Sequence, residues 1–145
     1  MMKSIPVWKQ ELSDGVHAAR LASLYCCAPA ETASEAARYA AVLDGLEKTF
    51  GSHAEAGLYS APGRTEIGGN HTDHQHGRVL AGSVNIDMIA AAAPNDKNQL
   101  RVQSEGYDLC VIDLNDLEAR KEEENTTAAL LRGECAAFTQ RGAKL

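Results

Sequence analysis

The spacing of apolar residues predicts helices near the beginning of the chain. From about residue 31 to residue 50 they recur every three or four positions, at Ala36, Ala40, Leu43, Leu46 and Phe50. This period predicts an amphipathic helix with one buried face, and Gly51 is its expected stop. A shorter helix is predicted from residue 13 to about residue 25, with Ser13 and Asp14 as capping candidates.

The period then shortens to two, which is typical of strands. In residues 84–90, Val84, Ile86, Met88 and Ala90 alternate with Asn85 and Asp87, so the apolar set shares one face of the predicted strand. Residues 56–60 form another candidate strand, after which glycines are expected to interrupt regular structure until Val79. Residues 99–104 and 109–114 predict two further strands joined as a hairpin.

A last helix is predicted after Asn125, Thr126 or Thr127, each a capping candidate, and its apolar stripe consists of Thr127, Leu131, Cys135 and Phe138. The charged run from Glu118 to Glu124 is expected to be solvated. Helices, then a block of four or five strands, then a helix predict an α+β fold rather than alternating βαβ units. The 145 residues are interpreted as one domain with a mixed or antiparallel sheet.

Composition and charge narrow the classes of partner. A formal charge of −6 and the absence of basic clusters argue against nucleic acid. No run of about 18 apolar residues and no signal-peptide core occur, which argues against a membrane and predicts a cytosolic location. The cysteines form no CxxC pair and are expected to be thiols.

Residues 61–87 hold the candidate chemistry, beginning with Arg64. Pro62 stiffens the approach to this residue and Gly63 permits unusual dihedral angles, so the guanidinium can be held in a fixed position at a strand end. Arginine suits the stabilisation of phosphoryl charge. The alternative is a surface arginine paired with a carboxylate.

Polar side chains follow two glycines in the same segment. Asn70, His71 and Asp73 can donate to and accept from hydroxyl groups, which suits recognition of a polyol. The alternative is a turn whose polar groups satisfy only the local backbone. A metal site built from His71, His74 and His76 is not predicted, because no regular element aligns these spacings. Neither GxGxxG nor GxxxxGK[ST] is present, so no nucleotide loop is predicted.

The segment resembles the first signature motif of galactokinases, which belong with homoserine, mevalonate and phosphomevalonate kinases. That motif runs approximately Gly-Arg, a few residues, Gly-Glu-His-Thr-Asp-Tyr, and a Gly before Val-Leu. Here the matching residues are Gly63-Arg64, residues 69–74 (Gly-Asn-His-Thr-Asp-His) and Gly77 before Val79-Leu80. The resemblance implies the N-terminal part of a longer kinase, with a ribosomal protein S5 domain 2-like fold.

The resemblance also implies roles for individual residues. Arg64 would assist phosphoryl transfer from ATP to C1 of galactose, and His71 and Asp73 would bind sugar hydroxyls. Asn70 stands where the family usually has a sugar-binding Glu, and His74 where it usually has Tyr. Glu66 receives no role from the family.

The family's triphosphate loop and the catalytic Asp that follows it are not in these 145 residues. ATP and Mg²⁺ are therefore expected to bind the full-length enzyme and not this chain tightly, and the chain alone is expected to have little activity. A non-catalytic sugar-binding or regulatory module and a kinase for a different sugar remain alternatives. Sheet edges left unpaired in such a fragment predict self-association.

Overall fold

The structure, a computed structural model, describes residues 1–69 and 77–144. The chain divides into two compact units, Met1–Pro94 and Asn95–Leu145, which are described separately below. Within the described residues, the helices and two antiparallel sheets give an α+β fold, which confirms the predicted class. No helix in that part of the chain is both long and apolar enough to cross a bilayer.

The first unit begins with two short helices. Helix α1 spans Ile5–Ser13, where Pro6 suits the first turn, and helix α2 spans Ala18–Tyr25. The prediction that a helix starts at Ser13 was wrong, because Ser13 is the last residue of α1 and Asp14 caps its C-terminus. Helix α2 ends at Cys26, which has a left-handed φ of 54°.

The long helix of the first unit confirms the helical period. Helix α3 spans Ala33–Phe50 and ends at Gly51, whose φ is 84°. Leu43 and Leu46 are buried, and Ala36, Ala40 and Phe50 pack against the core as partly buried residues. The core of this unit consists of Ile5, Trp8, Leu12, Leu21, Tyr25, Tyr39, Leu43, Leu46 and Ala56. Trp8 satisfies its indole N–H by donating to the carbonyl oxygen of Ala56 at 2.8 Å.

A long two-stranded ribbon follows the helices. Strand β1 spans Gly57–Gly69 and pairs antiparallel with strand β2, which spans Val79–Ala92. The expectation that the glycines interrupt regular structure from residue 61 to Val79 was wrong for residues 61–69, since β1 continues through Arg64 to Gly69. Residues 70–76 of that range lie outside the described residues. Backbone pairing with β2 is maintained there with two irregularities, so the strand tolerates the glycines.

The two faces of β2 do not divide as their apolar pattern suggests. Ile86 and Met88 are 77% and 78% exposed, whereas Ile89 and Ala91 on the opposite face pack against the core. Asp87 lies on this core-facing side, and its side chain is only 3% exposed. The strand carries apolar residues on both faces near its end, and the core-facing side includes the charged residue because partners are available for it.

The second unit contains the remaining elements. Strand β3 spans Gln99–Val102 and pairs antiparallel with strand β4, Cys110–Asp113, which confirms the predicted hairpin. Among the described residues these strands form their own sheet, so the expected single sheet of four or five strands is replaced by two sheets of two strands. All four cysteines of the chain are free thiols, as expected.

Helix α4 spans Thr127–Gln140, and the hydroxyl oxygen of Thr126 caps it by accepting from the Ala129 N–H at 3.3 Å. Cys135 on its stripe is buried, whereas Phe138 is 51% exposed. The charged run is mostly exposed as expected, except at Glu123. Both carboxylate oxygens of Glu123 accept from the buried Arg132 guanidinium, at 2.8 and 2.7 Å.

Candidate functional site

The candidate site is carried by the β1–β2 ribbon, whose strand pairing is irregular next to Arg64. Pro62 pairs with Asp87, but the next pair along β1 is Arg64 with Ser83. Three residues of β2, Val84 to Ile86, therefore lie against Gly63 alone. A Cβ on Gly63 would be 3.1 Å from the Ile86 carbonyl oxygen, closer than side chains ordinarily approach. Glycine thus permits the close approach of the two strands before Arg64.

Arg64 lies in the interior of β1 rather than at a strand end, and it is exposed. Among residues 1–69 and 77–144 it forms no ion pair, so the alternative of a carboxylate-paired surface arginine gains no support from that part of the chain. An exposed guanidinium held on a paired strand is available to an anionic group of a ligand.

The two strands are also paired at the far end of the ribbon, where they approach each other closely. Gly69 pairs with Val79, and Gly68 pairs with Leu80. Gly69 has a φ of 109°, and a Cβ built on it would collide with the carbonyl oxygen of Arg78 and lie 2.9 Å from the Val79 Cα. Only glycine fits this position without strain.

The predicted sugar-binding residues Asn70, His71 and Asp73 lie outside the described residues, as do His74 and His76. Their assignment stays a prediction. Within the described part of the chain, no group of three or more His, Cys, Asp or Glu side chains is placed to hold a metal ion. No phosphoryl-transfer step is assigned to the described residues.

A buried carboxylate midway along the ribbon, that of Asp87, is a feature that the sequence did not single out. Asp87 Oδ2 accepts hydrogen bonds from the hydroxyls of Ser60 at 2.5 Å and Tyr25 at 2.6 Å. Its Oδ1 accepts from Arg38 Nη2 at 2.9 Å. The donors come from β1, α2 and α3, so one side chain connects the ribbon to both helices.

These contacts determine the charge state of the Asp87 carboxyl group. Burial by itself raises the pKa of Asp87, but the hydrogen bonds from Ser60, Tyr25 and Arg38 outweigh burial and hold that pKa below its ordinary value. Burial and the hydrogen bond that the Tyr25 hydroxyl donates to Asp87 raise the pKa of Tyr25. The carboxylate is therefore ionised and the Tyr25 hydroxyl is protonated at neutral pH.

The network extends one step further on each side of Asp87. The Tyr25 hydroxyl lies 3.0 Å from that of Tyr39, and because Tyr25 donates its proton to Asp87, Tyr39 is the donor in this pair. Arg38 also donates to Glu35 at 2.5 Å, and its hydrogen bonds to Glu35 and Asp87 raise the pKa of the guanidinium. The sequence contained a signal for this network. Asp87 lies between Ile86 and Ile89 in a largely apolar strand, and an acidic residue there needs buried hydrogen-bond partners.

The ribbon lies within a segment that matches a family model. Residues 46–94 match the galactokinase galactose-binding signature, so the matched segment runs from the end of α3 through both strands of the ribbon. The chain thus carries the sugar-binding signature of a class of small-molecule kinases.

Similar curated proteins are galactokinases. The chain is 35% identical over 83 residues to the galactokinase of Ligilactobacillus salivarius (strain UCC118), which covers 55% of this chain and 21% of that protein. It is 33% identical over 66 residues to the galactokinase of Lacticaseibacillus casei, an alignment that covers 46% of this chain and 17% of that protein. It is 34% identical over 71 residues to the galactokinase of Streptococcus suis (strain 05ZYH33), an alignment that covers 47% of this chain and 18% of that protein.

These matches confirm the predicted resemblance to galactokinases over about half of the chain. The matched segment spans only about a fifth of the length of the curated relatives. No solved structure matches the chain significantly.

Proposed function

We propose that this chain forms the sugar-binding part of a galactokinase-like kinase, and that the whole enzyme transfers the γ-phosphoryl group of ATP to C1 of galactose. One observation supports this most: the galactose-binding signature coincides with the ribbon that carries Arg64. In this proposal the chain is one incomplete domain of the S5 domain 2-like type, and a cytosolic location stays a prediction.

Arg64 is assigned to the phosphoryl side of the site. Its guanidinium is exposed and forms no ion pair with the described residues. A charged fork of N–H donors binds phosphate oxygens in pairs and stabilises charge that develops on them. We therefore expect Arg64 to interact with the phosphoryl group near C1 more than with the sugar hydroxyls.

Asn70, His71 and Asp73 are assigned to the sugar. An ionised Asp accepts hydroxyl protons, and Asn and His each donate and accept, so the set provides complementary partners for neighbouring hydroxyls. Asn70 replaces the Glu usual in the family with a neutral group, which makes selectivity among sugars a question for measurement. ATP and Mg²⁺ belong to the whole enzyme in this proposal.

A second candidate is a non-catalytic sugar-binding module related to these kinases. It is favoured by the extent of the match, since the relatives are aligned over only 17–21% of their length. Both candidates require galactose binding, but only the kinase predicts a preference for a phosphorylated sugar that depends on Arg64.

Titration of the 145-residue chain with galactose tests the shared part of the proposal. Amide chemical shifts would be followed by NMR in the unaltered chain and in the Asp73→Ala variant. We expect saturable shifts on the ribbon, and a loss of affinity of about tenfold or more in the variant, because a charged acceptor is removed.

Asp96→Ala is the matched control, since Asp96 is exposed and lies outside the matched segment. It should leave the affinity unchanged. An unaltered, well-folded chain that gives no saturable shifts with galactose would contradict the proposal. A different aldose that binds tenfold more tightly would instead identify another sugar as the substrate.

A further inference from the structure

The pairing of the ribbon is irregular immediately before Arg64. Pro62 has no N–H to donate, and the register then changes between the Pro62 and Arg64 pairs. A register that is not fixed by the strand ladder allows the strand to slip, and a slip of one residue moves a side chain to the other face. Some other interaction is needed to fix β1 against β2 at this point.

The Ser60–Asp87 hydrogen bond joins the two strands next to this irregularity. Ser60 is four residues before Arg64 on β1, and Asp87 on β2 is the partner of Pro62, so the 2.5 Å bond crosses the ribbon beside the irregularity. The same carboxylate is held from the other side by Tyr25 of α2 and Arg38 of α3. The register beside Arg64 is thus tied to the helical core rather than to strand pairing alone.

We propose that Asp87 is a positioning residue for the sugar site, which fixes the β1–β2 register beside Arg64 through its hydrogen bond to Ser60. The Asp87 side chain is buried and its three hydrogen-bond partners are Ser60, Tyr25 and Arg38, so its effect on binding passes through the ribbon. The effect of Asp87 on sugar binding rests on the proposed function, whereas its effect on the strand register does not.

Substitutions at Ser60 separate positioning from general stability. Ser60→Thr retains a hydroxyl that can donate to Asp87. Ser60→Val introduces a side chain of nearly the same shape as threonine but without the hydroxyl. Asp87 keeps Tyr25 and Arg38 as partners in both variants, so its burial remains satisfied. Tyr25→Phe provides a further control, because it removes a bond on the helix side and leaves the bond across the ribbon intact.

Hydrogen exchange and galactose titration are the two measurements. In Ser60→Val we expect amide exchange at residues 64–66 to be at least fivefold faster, with little change at residues 57–59, and galactose affinity to fall about tenfold. Ser60→Thr should stay within threefold of the unaltered chain in both measurements. Tyr25→Phe should lower the overall stability without this local change.

The outcomes separate this inference from the proposed function. If Ser60→Val and Ser60→Thr exchange alike and bind galactose alike, the positioning role of Asp87 is wrong even though galactose binds. If the unaltered chain does not bind galactose, the proposed function is wrong. In that case a local effect of Ser60→Val on residues 64–66 would retain the register-fixing role, and its absence would overturn that role too.

Discussion

Asp87 and Ser60 are joined across the ribbon by a hydrogen bond of 2.5 Å, two residues before the strand pairing changes register. The carboxylate is buried, and its other two donors come from helices α2 and α3. This relationship connects the helical core of the first unit to the strand that carries Arg64. The stability of that unit and the geometry of the candidate site therefore depend on the same side chain.

Removal of the Asp87 carboxylate should destabilise the fold. Asp87→Ala leaves the hydroxyls of Tyr25 and Ser60 without their acceptor, and we expect a loss of about 2 kcal/mol in the free energy of unfolding. The loss is limited because Arg38, being partly exposed, can turn to water. Urea denaturation followed by circular dichroism measures it.

Asp44→Ala is the control for that variant. Asp44 pairs with Lys9 at 2.6 Å, but its side chain is 68% exposed, so we expect a change below about 1 kcal/mol. Equal losses in the two variants would show that the Asp87 network adds no more than a surface ion pair.

The same network predicts how stability depends on acid pH. The pKa of Asp87 is lower in the folded chain than in the unfolded one, so its contribution is fully present above an ordinary pKa of about 4 and is lost as the pH falls through the folded value. Ser60, Tyr25 and Arg38 face the carboxylate, and Glu35 lies beyond Arg38. Urea midpoints measured from pH 6 to pH 2 should decline less steeply in Asp87→Asn.

Some acid sensitivity should remain in that variant. The pKa values of Glu11, Asp116 and Glu123 are also lowered, chiefly by hydrogen bonds from Lys3, Arg120 and Arg132 respectively. If the curves of the unaltered chain and Asp87→Asn stay parallel down to pH 2, Asp87 does not titrate as its contacts require.

Two glycine substitutions should have opposite effects. Gly69→Ala places a Cβ against the Arg78 backbone at a positive φ, and we expect a loss of about 1–3 kcal/mol in unfolding free energy. Gly45 lies on the exposed side of α3 with nothing within 4 Å of an added Cβ, so Gly45→Ala should stabilise the chain by about 0.5–1 kcal/mol. Thermal and urea unfolding of both variants test the pair, and a neutral Gly69→Ala would contradict the close approach at the ribbon end.

The exposed apolar face of the ribbon should promote self-association. Ile86 and Met88 are 77% and 78% exposed, and the sheet that they belong to has two strands within the described residues. Apolar surface of this kind beside unpaired strand edges favours contact with a second copy. Sedimentation of the chain at increasing concentration should show a rising mass.

Met88→Ser should reduce that association, whereas Val16→Ser is the control, because Val16 is 62% exposed but lies outside the ribbon. A monomer at every concentration, with a cooperative thermal transition, would contradict the prediction. Equal reductions in both variants would assign the association to general hydrophobicity.

Elements with a strong period were predicted from the sequence, and elements held by tertiary contacts were not. The α3 period placed Leu43 and Leu46 in the core because one face of that helix is consistently apolar. Helix α1 was missed because it is only nine residues long, although its buried residues, Ile5, Trp8 and Leu12, recur at the helical spacing of three and four.

The ribbon shows a second limit of sequence patterns. Its glycines suggested a break, but β2 supplies a partner for each strand segment, and pairing overrides the low strand propensity of glycine. The alternation in β2 also did not reveal which face is buried, since the sequence does not show that Tyr25, Ser60 and Arg38 converge to satisfy a charge at Asp87. The motif around Arg64 was recognised because its residue types are specific.

In the proposed function Arg64 serves the phosphoryl side of a galactose site, and binding of galactose and galactose 1-phosphate by the same chain tests this role most directly. The unaltered chain should bind the phosphorylated sugar about tenfold more tightly, because a charged arginine meets the phosphate. Arg64→Ala should abolish this preference and change the galactose affinity less than threefold, while Arg20→Ala, at an exposed arginine of α2, should change neither. Equal affinities for the two ligands in the unaltered chain, or a preference that survives Arg64→Ala, would contradict the claim.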